Sequence, residues 1–102
     1  MNITENYKLK KDITENVLKQ NGFRNKTFKC WVYKNIIQLI VKVNIEEDYW
    51  NYEIYDVDSN SIYAPYYNRQ NKNLVVEEID KKLDVLLSEF VKNNILEEKD
   101  WY

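Results

Sequence analysis

Histidine is absent from this 102-residue chain, and glycine, proline and cysteine occur once each, as Gly22, Pro65 and Cys30. Without histidine no Ser-His or Cys-His pair can form, and the common zinc sites are excluded. One glycine rules out a phosphate-cradling glycine loop. With a single proline beside it, there are no flexible linkers and few places for tight primed turns. Cys30 has no partner for an internal disulfide, so a reducing cytoplasm is the expected location, and within its strand it reads as a small buried apolar residue. No basic, apolar, small-residue leader opens the chain, and no apolar run approaches the ~20 residues needed to cross a bilayer. The chain is expected to be soluble, without cofactor, metal or membrane partner, and not an enzyme.

What is present is apolar and charged in ordinary measure. Hydrophobic residues make up 44% of the chain, enough to argue against disorder, and its length suits one domain over residues 1–102 with a single core. The abundance of Asn, Lys, Ile and Tyr over Arg, Ala, Gly and Pro is the signature of AT-rich coding sequence, which points to a low-GC bacterium or its phages. The net charge of −2 hides a division: Met1–Lys42 sums to +6 and the remainder to −8. Such a division can steer opposite partners to each side, or simply keep a small domain solvated.

Ile36–Ile45 is the most strand-like run. Ile37, Leu39, Val41, Val43 and Ile45 form an apolar row at period two, and Ile36, Gln38, Ile40, Lys42 and Asn44 a mixed row opposite. Thr27–Lys34 and Tyr49–Val57 alternate in the same way, joined to it by Lys34-Asn35 and by Glu46-Glu47-Asp48, which predicts an antiparallel meander. Before it, Asp12 as N-cap with Glu15 three residues on predicts a helix over Ile13–Gln20, with a possible start back near Thr4, closed by Asn21-Gly22-Phe23. After it, Asp58–Ser61 is a turn and Ile62–Tyr67 a short edge segment that tolerates Pro65. Val76, Ile79, Leu83, Leu86, Leu87 and Phe90 then repeat at helical spacing. The acidic tail carries Leu96, Trp101 and Tyr102, which can dock on the body. The expected fold is α+β: helix, three-stranded antiparallel meander, helix, with the helices on one face of the sheet.

The meander sorts the aromatic residues. If Phe28, Cys30, Val32, Trp50, Tyr52 and Ile54 face the helices, Trp31, Tyr33, Ile36, Ile40, Tyr49 and Tyr55 face away, bordered by Lys29, Lys42, Gln38, Asn51 and Glu53. Trp and Tyr among flexible polar neighbours make binding hot spots. Such a face can equally be covered by a further layer or by a second copy. The carboxylates Glu46, Glu47, Asp48, Glu53, Asp56 and Asp58 lie mostly near turns, where ordinary pKa values are expected, so they are not read as an acid/base pair. An oxygen-ligand cation site at Asp56, Asp58 and Ser59 lacks the calcium-loop spacing and its glycine.

Gln38-Leu39-Ile40-Val41-Lys42-Val43-Asn44, with Glu46-Glu47-Asp48 and Tyr52-Glu53-Ile54 after it, resembles the meander of small phage-encoded inhibitors of the type II CRISPR nuclease. The resemblance spans about twenty residues of strand alternation and an acidic turn. It implies a helix, three antiparallel strands and C-terminal helices, with acidic side chains that imitate DNA phosphate and occupy the site that reads the target-adjacent motif. The matching acids here are Glu46, Glu47, Asp48, Glu53, Asp56 and Asp58. This chain departs from that family in its basic N-terminal third, its aromatic load and its single long C-terminal helix, departures that bear on the target more than on the strategy. Tyr63-Ala64-Pro65-Tyr66-Tyr67 also looks like small proteins of Gram-positive phages. The resulting expectation is a non-enzymatic, phage or mobile-element binder that occludes a host protein, such as a nucleic-acid-handling enzyme, with Trp31, Tyr33, Tyr49 and Tyr55 as contact area. The alternatives are a single-stranded nucleic-acid binder using the aromatic face, disfavoured by the acidic total, and a structural homodimer.

Overall fold

In the computed structural model, which describes residues 6–68 and 73–99, the chain runs β1 (Tyr7–Leu9), α1 (Glu15–Gln20), β2 (Thr27–Tyr33), β3 (Ile37–Asn44) and β4 (Tyr49–Asp56). It continues through β5 (Ser61–Ile62), α2 (Ala64–Tyr67), α3 (Leu74–Lys92) and β6 (Leu96–Glu98). The class is α+β, with an antiparallel four-stranded sheet in the order β2-β3-β4-β5 and a separate β1-β6 ribbon. The expected meander is therefore present but longer by one strand. The plain helix–meander–helix order does not describe the chain, because its two ends pair with each other. Trp101, Tyr102, Ile3 and Thr4 lie outside the described residues.

The period-two rows fall where the alternation put them. Ile37, Leu39, Val41 and Val43 are buried, with Trp50 and Ile54 opposite them on β4, and they share one core with Leu18 of α1 and with Val76, Ile79, Leu83, Leu87 and Phe90 of α3. Helical spacing gathers the α3 residues on one side, so a single helix of 19 residues covers the apolar row. Phe23, Phe28 and Phe90 meet at this seam with ring centroids 5.5–5.6 Å apart, tying the exit of α1, β2 and the end of α3 together.

With one glycine, the left-handed backbone positions fall elsewhere. Asp12, Asn25, Asp48, Asn60 and Asn94, with Lys26 and Lys34, have positive φ. Asn and Asp tolerate this region because their short polar side chains bond locally. Gly22 ends α1 with a Schellman motif, in which the Phe23 N–H reaches Leu18 O at 3.0 Å and the Gly22 N–H reaches Lys19 O at 3.2 Å. Asn94 repeats the motif after α3, where the Ile95 N–H bonds Phe90 O at 2.9 Å. Arg24-Asn25-Lys26-Thr27 is a two-residue primed hairpin, with φ of 52° and 64° at its centre. The scarcity of glycine thus did not exclude a primed turn.

Several boundaries differ from expectation. Thr14, not Asp12, caps α1: its Oγ1 accepts from the Val17 N–H, while Asp12 itself turns left-handed at φ 66°. Tyr7–Leu9 forms a strand, so α1 does not extend back toward the N-terminus. After Ile62 the chain coils into α2 with Pro65 in its first turn, where a missing N–H costs nothing. The edge of β4 is then finished by side chain as well as backbone, the Ile54 N–H donating to Tyr67 Oη at 3.0 Å and the Tyr63 N–H to Ile54 O at 2.8 Å. The tail docks as β6, burying Ile95 and Leu96. The ribbon is fixed to the sheet where Trp50 Nε1 donates to Tyr7 O at 3.2 Å. No helix among the described residues is long and apolar enough to cross a membrane.

Candidate functional site: the solvent face of the sheet

Strand pairing dictates which side chains share the face opposite the core. Trp31, Gln38, Tyr55 and Ile62 stand in one cross-strand row over all four strands. Beside it lie Lys29, Ile40 and Glu53, and then Thr27, Lys42 and Asn51. At about 4.8 Å per strand the first row spans roughly 14 Å. Trp31 is 42% exposed, Ile62 51% and Tyr49 55%, high values for side chains of this size on one face of a small domain. Tyr55 and Gln38 between them are half-buried. The Tyr55 hydroxyl bonds Asn60 Oδ1 in the β4–β5 turn, and Asn51 Nδ2 donates to Tyr49 Oη at 3.2 Å, so both rings are oriented by local bonds.

Tyr33 does not belong to this face. One extra residue on β2 between Trp31 and Tyr33 shifts the register, placing Tyr33 opposite Ile37 on the core side, half-buried with the Lys34 ammonium 5.3 Å above its ring. A bulge of this kind reverses facing from that point on. Ile36 likewise leaves the strand and packs against the core. Trp31, Tyr49 and Tyr55 stay on the solvent face as expected.

The acidic residues are not brought together. Glu46, Glu47 and Asp48 form the exposed β3–β4 turn, where the Glu47 N–H bonds Asn44 Oδ1. Asp58 sits in the turn at the other end of β4, about 26 Å away for an eight-residue strand. Asp56 pairs with Ile37 on the core side, and its Oδ1 accepts from the Asp58 N–H at 3.0 Å, which occupies it in shaping the turn. Glu53 alone of the six stands among the aromatic residues.

Cations border the aromatic face, as the strand alternation predicts. Lys29 and Lys42 lie on the aromatic face as diagonal neighbours, about 7–8 Å apart, with Trp31 two residues along β2 from Lys29. The hairpin leading into β2 adds Arg24 and Lys26, both exposed. Ion pairs among the described residues join Lys8 and Lys10 to Glu97, and none involves Arg24, Lys26, Lys29 or Lys42. A cleft of about 500 Å³ opens beside the hairpin, lined by Gly22, Arg24, Asn25, Thr27 and Lys29. Sequence reading named Lys29 and Lys42 as a border but missed Ile62 and the hairpin. Ile62 comes beside Tyr55 through the β4–β5 hairpin register, which a period-two count along the chain does not give.

The face offers contact and charge rather than covalent chemistry. Burial pushes the Cys30 thiol above its ordinary range, with Lys82 opposing, so it stays protonated at neutral pH and is a poor nucleophile. Burial likewise raises the Tyr67 hydroxyl, whose bond from the Ile54 N–H acts in the opposite sense. No cluster of His, Cys, Asp and Glu suited to a metal ion occurs among the described residues. No family model matches the chain, and no curated protein or solved structure matches it.

Proposed function

We propose that this chain is a non-enzymatic binding module whose contact surface is the solvent face of the four-stranded sheet, and that single-stranded nucleic acid is the ligand this face fits best. The reading takes α1 and α3 as both lying on the core face, which leaves the other uncovered. One observation carries it: exposed Trp31 shares that face with Lys29 and Lys42, neither of which has a carboxylate partner among the described residues. An aromatic ring accepts a base by stacking, and adjacent lysines neutralise the phosphates that come with it. Gln38 supplies an amide beside them. The test is fluorescence anisotropy with a labelled oligothymidylate about 12 nucleotides long, within the range of about 4–16 nucleotides that one small single-strand-binding domain covers. Wild type should bind more tightly than it binds the same length of duplex. Trp31→Ala should weaken binding by roughly 5–150-fold, the range for losing one stacked base. Equal binding by wild type and Trp31→Ala would remove the face from consideration.

A second reading is favoured by the row Trp31–Gln38–Tyr55–Ile62, whose apolar ends suit a protein surface. On that reading the module is a phage-type inhibitor that occludes a host protein, with the acidic turns at either end imitating phosphates toward a nucleic-acid-handling enzyme such as a CRISPR nuclease. Reversing charge at Glu46, Glu47 and Asp48 should then abolish binding to the basic partner and remove its salt sensitivity. Retained binding would dismiss mimicry. The two ends of β4 would also have to be engaged at once, across its full length.

A further inference from the structure

We infer that the cleft beside the Arg24–Thr27 hairpin seats a phosphodiester group, and that it is the entry of a backbone track that runs up β2 to Trp31. The inference rests on the nucleic-acid reading above and adds a second, separable contact to it. Every side chain lining the cleft is neutral or cationic: Arg24 and Lys29 carry charge, Asn25 and Thr27 carry polar groups, and Gly22 carries nothing. The hairpin holds this set in place through two backbone bonds, the Arg24 N–H to Thr27 O at 2.7 Å and the Thr27 N–H to Arg24 O at 3.0 Å. The left-handed Asn25 and Lys26 at its tip turn the chain within two residues, so Arg24 and Thr27 face each other across it.

Gly22 lines the cleft with backbone alone; it has φ 90°, and a β-carbon there would press on the Phe28 ring at 3.3 Å.

Charge at the cleft is one-sided. Arg24, Lys26, Lys29 and Lys42 converge on the β2 end of the sheet, and no ion pair among the described residues involves them. The nearest acidic group on that face by pairing is Glu53 on β4, which shares a cross-strand row with Lys29 at about two strand spacings, or 10 Å, comparable to the screening length at physiological salt, and is a diagonal neighbour of Lys42. Together with the Glu46–Asp48 turn that joins β3 to β4, it repels a polyanion from the β4 side and leaves the β2 side as its approach. Lys29 and Trp31 are separated by one period of the strand, about 7 Å, so a base stacked on Trp31 carries its own phosphate past Lys29 toward the cleft. A duplex offers no free base face to Trp31, which is why the track suits a single strand.

The test measures the salt dependence of binding, with the same labelled 12-mer oligothymidylate, for wild type, Arg24→Gln/Lys29→Gln, Trp31→Ala and the control Lys81→Gln/Lys92→Gln on α3. For single strands each phosphate contact contributes about −0.7 to the slope of log K against log salt. The Arg24/Lys29 pair should lower the magnitude of the wild-type slope by about 1.4 while tryptophan quenching on binding persists. Trp31→Ala should lower affinity at every salt concentration and leave the slope in place, and the α3 control should match wild type. All the substituted side chains are exposed, and circular dichroism checks that each variant is folded. An unchanged slope in Arg24→Gln/Lys29→Gln, with Trp31→Ala still impaired, overturns the cleft and spares the face. Failure of wild type to bind the oligonucleotide even at low salt overturns both. Equal displacement of the oligonucleotide by inorganic phosphate at matched ionic strength would show a free-anion site and overturn the track.

Discussion

Removing the Phe90 ring should cost more than any other single truncation in α3. Phe90 is 3% exposed and contacts both other phenylalanines, with centroids 5.6 Å from Phe23 and 5.5 Å from Phe28. Phe→Ala at a buried site costs about 3–5 kcal/mol, the sum of lost transfer energy and an unfilled cavity. Three elements meet at this ring, so collapse of the cavity would require α1, β2 and α3 to shift together, which places the expectation in the upper half of that range. A domain of 102 residues has a total stability of about 5–15 kcal/mol. Phe90→Ala therefore removes about a quarter or more of it, lowering the melting temperature by at least roughly 16 °C. The assay is urea titration followed by circular dichroism and tryptophan emission, compared with Val85→Ala one face away. Val85 is 61% exposed, and its truncation should stay within about 0.5 kcal/mol. A loss below about 1 kcal/mol for Phe90→Ala at unchanged m-value would refute the three-ring seam.

Two further outcomes test other parts of the framework. Asn94 holds the left-handed position after α3 at φ 65°, so Asn94→Gly should equal or exceed wild type in stability while Asn94→Ala loses about 1 kcal/mol in thermal melts. Equality of the glycine and alanine variants would place the chain in a different turn. Glu97 is held below its ordinary 4.5, first by the hydrogen bond from Lys8 and then by a Lys11 backbone bond and the charges of Lys8 and Lys10. Its folded pKa is depressed, so its contribution to stability is present above the unfolded value and disappears as pH falls through the folded one. The melting difference between wild type and Glu97→Gln should accordingly be present at neutral pH, shrink on acidification below the ordinary 4.5 and diminish with salt. An NMR titration that gives Glu97 a pKa at or above the ordinary value would contradict the bridge.

The strands were legible because apolar residues at period two admit few other readings, and Ile37–Val43 and Trp50–Ile54 face the core as their alternation requires. The α3 stripe was legible for the same reason at helical period. Facing failed where periodicity itself was interrupted: the bulge between Trp31 and Tyr33 carries no distinctive residue, and it moved Tyr33 from the proposed surface to the core side. The cap of α1 failed because Asp12 and Thr14 are both good N-caps, and only the left-handed backbone at Asp12 decides between them.

Local periodicity and end signals, then, determined the strands, the two longer helices, the glycine stop after α1 and the division between a core row and an aromatic row. Tertiary structure alone decided the β1-β6 ribbon, since three-residue strands such as Tyr7–Leu9 and Leu96–Glu98 gain stability only from each other and from Trp50 beneath them. It alone decided which further charges join Lys29 and Lys42 beside the aromatic face. Charge has no periodicity that survives a turn, so Glu46–Asp48 and Asp58, near in sequence, stand at opposite ends of β4, while Arg24, Lys29 and Lys42 are brought together by the pairing of β2 with β3.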